Sequence, residues 1–195
     1  MKPTLFWSYC AAVVTLTIAG CGLAAQGQAP AAGDHADHAA PPAQTLGPAA
    51  DVQRGYAGLK TNILKAAQNM PADAYSFRPT PDVRTFARVV NHVSEAQIRA
   101  CGAINQTPAE ARGKVPAETA DKAAIVAALQ ASFAECDKAF ASLTDANALQ
   151  MLTSGPVTRA RIGYAWGTVS HDNEQYATLA LYMRLKGLVP PSSEK

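Results

Sequence analysis

HDNEQYATLALYMRLKGLVPP, running from His171 to Pro191, is the stretch that decides the fold. Its apolar residues recur at helical spacing as far as a Lys186-Gly187 stop, and the two prolines that follow cannot continue a helix. On an ideal helix, at about 100° per residue, His171 shares a strip about 80° wide with Tyr164, Thr168, Gln175, Thr178 and Tyr182. Ala165, Val169, Tyr176, Ala180 and Met183 form a separate, greasier flank. A helix with one apolar flank and one polar-aromatic flank suits a wall shared between a core and a pocket. The chain holds 4 histidines, and only His92 and His171 lie in segments that read as folded. A satisfied core or rim histidine is the plainer explanation of either one alone.

Outward from this helix, three more amphipathic segments appear. Val52, Tyr56, Leu59, Ile63, Leu64 and Ala67 predict a first helix that ends near Met70-Pro71. A proline-bearing loop covers Ala72 to Thr80, and Asp82 or Thr85 can cap a second helix. Its stripe is Phe86, Val89, Val93, Ala96, Ala100 and Ile104, with His92 at the border beside Arg88, Glu95 and Arg99. Thr107 to Pro116 breaks the chain. A third helix is expected from about Thr119 to Leu143 on Ile125, Leu129, Phe133, Cys136 and Phe140. An irregular link through Gly155-Pro156 leads to the fourth, expected from Thr158 to Lys186-Gly187. No alternating strand pattern competes. The reading is an all-α four-helix bundle with one long crossover, spanning residues 51–193, and such bundles build sites from inward side chains of facing helices.

The first fifty residues read differently. Residues 1–20 form an export leader: Lys2 is a thin basic region, and Leu5 to Ala19 is an apolar run shorter than the roughly 20 residues a spanning helix needs. Ile18-Ala19-Gly20-Cys21 matches a bacterial lipobox, which makes Cys21 the expected lipidation site and the inner or outer membrane the expected partner. Cleavage after Ala24-Ala25 is the alternative, and either route predicts an exported protein of the periplasm or cell envelope. Residues 21–50 are Ala, Gln, Pro, Gly and Asp with few large apolar groups, a composition that cannot offset its ordering entropy and predicts a flexible tether. His35 and His38 lie within it, and a solvated linker explains them without metal. Net charge is +2, or +1 once Lys2 leaves with the leader. Without a basic patch interleaved with aromatics, nucleic acid is not an expected partner.

Cys10 lies in the leader and Cys21 is the anchor candidate, which leaves Cys101 and Cys136 for the folded domain. An even pair in an exported chain suggests a disulfide between the second and third helices. Two buried thiols are the competing reading, because Cys136 lies on its helix's apolar stripe.

NHVSEAQ around His92 and HDNEQYATLALYMRLKGLVPPSS from His171, together with MPADAYSFRPTPDVRTF between the first two helices, resemble the DinB/YfiT family of four-helix metalloproteins. The similarity runs from about Asp51 to Ser193 and is closest to the secreted branch, whose last helix typically reads HDNEHYGN…YxRLKGIVPPSS. In that family three histidines hold a divalent metal: one from the second helix and two from an H-x-x-x-H pair on the last. By position, His92 and His171 match the first two ligands, while the third position holds Gln175. An amide oxygen is a weak donor. Glu174, about 60° from His171 on the helix wheel, or Glu95, one turn beyond His92, would supply a carboxylate instead. Two histidines and a carboxylate accept many non-haem metals, and neutral imidazole suits Zn, Ni, Fe or Mn.

The resemblance implies a metal-dependent hydrolase or thiol-dependent transferase acting on a small molecule, with Tyr164, Thr168, Thr178 and Tyr182 lining the pocket. It also implies that bundles pair as homodimers. A reading from another class stands beside it: a membrane-tethered, non-catalytic binding module in which Gln175 marks a lost metal.

Overall fold

The computed structural model describes residues 45–194, so the leader, Cys21, His35, His38 and most of the tether lie outside the described residues. Four helices make up the domain: α1 (Pro48–Asn69), α2 (Phe86–Ile104), α3 (Lys122–Ala141) and α4 (Arg161–Leu185). Their ends follow from local chemistry. Pro48 pre-sets the first turn of α1. Gly47 offers no side-chain cap, and Asp145, from beyond α3, supplies one by accepting from Ala49 N at 2.8 Å. A Cβ on Gly47 would collide with that carboxylate, so the glycine is the space the cap requires. At the other end, Lys122 Nζ donates to Gln68 O (2.6 Å) and Met70 O (2.8 Å), covering carbonyls that α1 leaves unpaired.

Thr85 and Asp121 cap α2 and α3 by accepting from Arg88 N and Ala124 N. Lys186-Gly187 stops α4 as the sequence leads one to expect. Gly187 takes the left-handed conformation (φ 73°), its N–H reaches Arg184 O, and Leu188 N–H reaches Met183 O, the paired bonds of a Schellman turn. The Pro190-Pro191 tail then folds back, and Ser192 N donates to Tyr176 Oη at 2.8 Å.

In the bundle, α2 packs against α3 and α4, and α1 packs against α4 and α3. Walking round it, the order is α1, α3, α2, α4, so the α1–α2 and α3–α4 connections each join helices across the bundle. Ile63, Met70, Phe86, Val93, Ile125, Leu129, Phe133, Leu179 and Met183 fill the centre, almost wholly removed from water. Tyr56 stacks on Phe140 with centroids 3.9 Å apart, and its hydroxyl donates to Asp137, which also pairs with Lys60.

The α3–α4 connection corrects one expectation. It contains a β-hairpin, β1 (Met151–Ser154) and β2 (Val157–Ala160), paired antiparallel from Met151↔Ala160 to Ser154↔Val157. Gly155, at φ 59°, opens the two-residue turn with Pro156, where a left-handed first position favours glycine. Only Leu152 of the eight strand residues is buried, so no apolar alternation marks the strands in sequence. Helix α4 consequently starts at Arg161, after β2, rather than at Thr158. Its first N–H groups are satisfied by the loop, Arg161 N on Gln150 O and Ile162 N on Ala148 O.

Cys101 and Cys136 form a disulfide that ties α2 to α3 across 35 residues. Restricting an unfolded loop of that length is worth about 3.5–4 kcal/mol on chain-entropy grounds. We therefore expect Cys101→Ser with Cys136→Ser to lower unfolding free energy by roughly that amount. Urea denaturation of the oxidised parent against the double variant measures it, and equal midpoints would show that the crosslink does not stabilise the bundle.

Candidate functional site

Helix α2 presents Arg88, His92, Glu95 and Arg99 on successive turns, and α4 presents Tyr164, Thr168, His171 and Gln175. The two histidines meet where these helices pack: His92 Nε2 lies 3.2 Å from His171 Nε2. That separation suits an N–H···N hydrogen bond between one protonated and one bare ring nitrogen. It is also close to the about 3.3–3.4 Å edge of two imidazoles on a tetrahedral ion with bonds of about 2.0–2.1 Å.

Behind each ring stands an acid. His171 Nδ1 is 3.4 Å from Asp172 Oδ1, and His92 Nδ1 is 3.8 Å from Glu95 Oε2. Asp172 is 1% exposed, and its second oxygen accepts from Gln97 Nε2 at 2.7 Å. Gln97 Oε1 in turn accepts from Ser132 Oγ at 2.7 Å, so α2, α3 and α4 share one polar chain. Glu95 is clasped by Arg88 through two bonds of 3.0 Å.

This environment sets the charges. Burial, followed by the nearby guanidinium of Arg84 and by His171 and Arg88, holds the His92 pKa below its ordinary value, with only Glu95 opposing. Burial pushes the Asp172 carboxyl upward, and the hydrogen bonds from His171 and Gln97 offset part of that rise. His92 is thus neutral at pH 7, the form that lends a lone pair to a metal.

A cavity of about 540 Å³ opens beside His171. Tyr164, Thr168, His171 and Asp172 of α4 face Ala96 and Ala100 of α2 across it, with the hairpin and three arginines completing the wall. Tyr164 is held by its hydroxyl donating to Val157 O at 3.2 Å, and Thr168 Oγ1 donates to Tyr164 O. Gln175 is buried one turn beyond His171 on the same helix.

Other expected site residues lie elsewhere. Tyr182 is outside this cavity, with its ring edge-on to Phe77 and its hydroxyl donating to Arg84 O at 3.0 Å. Thr178 is half-buried and donates to Glu174 O, while Glu174 itself is exposed. Among the described residues, no three His, Cys, Asp or Glu side chains group closely enough to hold a metal ion. The imidazole pair would need an amide or solvent oxygen to complete a set.

A family model described as the DinB superfamily matches residues 56–178. The chain belongs to the DinB superfamily. Two solved structures share the fold. A DinB-like protein from Bacillus cereus is 14% identical with a TM-score of 0.59, covering 72% of this chain and 93% of its own. A DinB-like protein from Bacillus subtilis is 12% identical with a TM-score of 0.57, covering 70% and 92%. No curated protein matches in sequence.

Within this DinB domain, sequence reasoning found the two histidines and missed the acid that orients one of them. Asp172 falls about 100° from His171 on the wheel, between the polar strip and the apolar flank. An acid at the edge of a core flank was the available signal. Gln97, Ser132, Arg112 and Arg159 carried none.

Because the His92 pKa is depressed, the folded protein takes up that proton less readily than the unfolded chain. Its contribution to stability is therefore flat above about pH 6.5 and unfavourable as pH falls through 6.5 toward the lower folded value. His92→Gln removes it. Relative to this variant, the parent should hold a constant stability above about pH 7 and lose ground as pH falls below about 6.5. Metal-free urea titrations at each pH read the difference, and parallel curves would refute the depressed pKa.

Proposed function

We propose that this DinB protein is an exported, membrane-tethered member of the secreted branch that holds a divalent transition metal between α2 and α4. The ligands are His92 Nε2 and His171 Nε2, with the Gln175 amide oxygen as a weak third donor. The observation that carries this is the pair of ring nitrogens 3.2 Å apart, each ring having a carboxylate behind its other nitrogen. Histidine ligands are characteristically backed in this way, which fixes the ring and raises its basicity. Glu95, engaged by Arg88, serves better as a backing group than as a ligand, and exposed Glu174 does not support a carboxylate ligand. When bound, Zn, Ni, Fe or Mn would supply Lewis acidity or an activated water or thiolate. The chain's own part is to keep His92 unprotonated, orient His171 through Asp172, and seat a small molecule in the adjoining cavity. Hydrolase or thiol-transferase chemistry fits such a site.

Among the described residues the site groups two strong ligands rather than three, and this favours a second reading, a tethered binding module without metal. Protein purified without a histidine tag separates the two. Less than about 0.1 equivalent of transition metal after reconstitution would leave only the binder. Gln175→His should raise zinc or nickel affinity at least tenfold, about 1.4 kcal/mol, because an imidazole replaces an amide. His171→Ala should abolish binding in either background, and His92→Ala nearly so. Competition with a chelating dye measures all of these, and a Gln175→His protein no tighter than the parent would remove position 175 from the site.

Export rests on the apolar leader and the Ile18-Ala19-Gly20-Cys21 sequence, and the Cys101–Cys136 disulfide supports an oxidising compartment. No described helix is long and apolar enough to cross a membrane, and the attachment we propose is through lipid on Cys21. Cys21→Ala should release the protein from the membrane fraction or block its maturation. Unchanged membrane association of that variant would refute lipidation there.

A further inference from the structure

We propose that the cavity beside His171 takes a compact amphipathic anion, an apolar group bearing a carboxylate or phosphate monoester, whose charged end is held by Arg112 and Arg159 with Arg99 at the rim. This deepens the small-molecule reading above and rests on it.

The argument is one of uncompensated charge. All three guanidinium groups line the cavity, and none of them forms an ion pair among the described residues. Arg112 donates only to neutral oxygens, Thr107 O at 3.0 Å, Arg99 O at 3.5 Å and Ser154 Oγ at 3.1 Å. Arg159 donates to Gly163 O at 2.9 Å and lies over the Tyr164 ring, 5.4 Å from its centroid. Arg88, by contrast, lies outside this cavity and is neutralised by Glu95. The one acid in the lining, Asp172, is buried and occupied by Gln97 and His171. A cleft with one sign of charge on low-dielectric walls concentrates ligands of the opposite sign. The planar guanidinium fork matches carboxylate and phosphate alike.

Both arginines are seated rather than loose. A Cβ on buried Gly102 would stand 2.8 Å from Arg112 Nε, so α2 leaves its side clear for that side chain. A Cβ on Gly167 would stand 3.4 Å from Arg159 Nη1, and the bare face of α4 gives Arg159 its bed. The opposite character comes from Ala96, Ala100 and Tyr164, whose surfaces suit an apolar body. A ligand of both characters uses the whole cavity, with its charged end at the arginines.

The full chain, treated with EDTA to remove metal, is titrated with benzoate, phenyl phosphate and uncharged benzamide at one fixed ionic strength. We expect at least one anion to bind tenfold or more tightly than benzamide. Arg112→Gln and Arg159→Gln should each weaken that anion at least fivefold, while Lys138→Gln, on α3 and paired with Glu135, should leave it unchanged. Arg159 is exposed on the hairpin, so its variant decides the matter if Arg112→Gln does not fold. Preference for one anion over the other identifies the headgroup and supports the proposal. Equal binding of benzamide, no binding of either anion, or arginine variants that bind like the parent would overturn it. Since metal is absent throughout, failure here leaves the dye titrations untouched, and failure there leaves this result standing.

Discussion

A carboxylate cannot be taken out of water unless other dipoles replace the water, and in this bundle the buried carboxylate of Asp172 imposes that condition on three helices. Gln97 answers from α2, and Ser132 from α3 holds the amide so that its N–H faces the acid. Sliding α4 along α2 by one turn would strand that carboxyl group. Leaving a buried polar group without its hydrogen-bond partner costs roughly 1–3 kcal/mol, enough to disfavour a shifted register. The bundle's register at this level is therefore set by polar geometry, within walls set by apolar packing. The disulfide at Cys101 and Cys136 lies one turn along α2 from Gln97 and pins α2 to α3, the pair that the Ser132–Gln97 hydrogen bond also joins. His171, adjacent to Asp172, inherits its position from this arrangement, and His92 meets it because α2 is fixed in the same register.

The two imidazoles live in unequal surroundings. Asp172 behind His171 is dry and is fixed by hydrogen bonds, whereas Glu95 behind His92 is partly exposed and shared with Arg88. Arg84 and Arg88 add positive potential around His92 and oppose its protonation, and burial acts in the same direction. His171, with its Nε2 3.2 Å from that of His92, adds to this opposition when it carries charge. At this distance the two ring nitrogens suit an N–H···N hydrogen bond between α2 and α4.

Much of this was legible in sequence. The four helices followed from apolar spacing, Val89 with Val93 on α2 and Leu129 with Phe133 on α3, and the last stop followed from Lys186-Gly187. The wheel brought His171 to the right side of α4. It failed along the axis. Tyr182 shares the strip of His171 but stands 11 positions away, about 16 Å at 1.5 Å per residue, beside Phe77 rather than the cavity. Tyr164 and Thr178 are equally far from His171 in opposite directions, about 10 Å each, and the cavity lies on the Tyr164 side. An angular strip names a face but not a level. The hairpin was illegible for a different reason: strands with one buried residue among eight carry almost no periodicity to read.

That hairpin also explains why shared fold says little about chemistry here. The bundle fold is shared with proteins only 12–14% identical to this one, and in this chain its α2 and α4 carry the imidazole pair and the acids behind it. The connections supply one side of the cavity wall: Arg112 from the α2–α3 link, and Ser154, Val157 and Arg159 from the α3–α4 hairpin. Tyr164 couples the two, donating from α4 to Val157 O while Arg159 lies on its ring. Loops of this kind change length and composition at little cost to a core they do not enter. The lining from these connections can therefore change while the histidine pair stays where the Asp172–Gln97 contact puts it. A buried chain of polar contacts thus holds the two imidazoles in place, and a solvent-facing rim of guanidinium groups borders the cavity beside them.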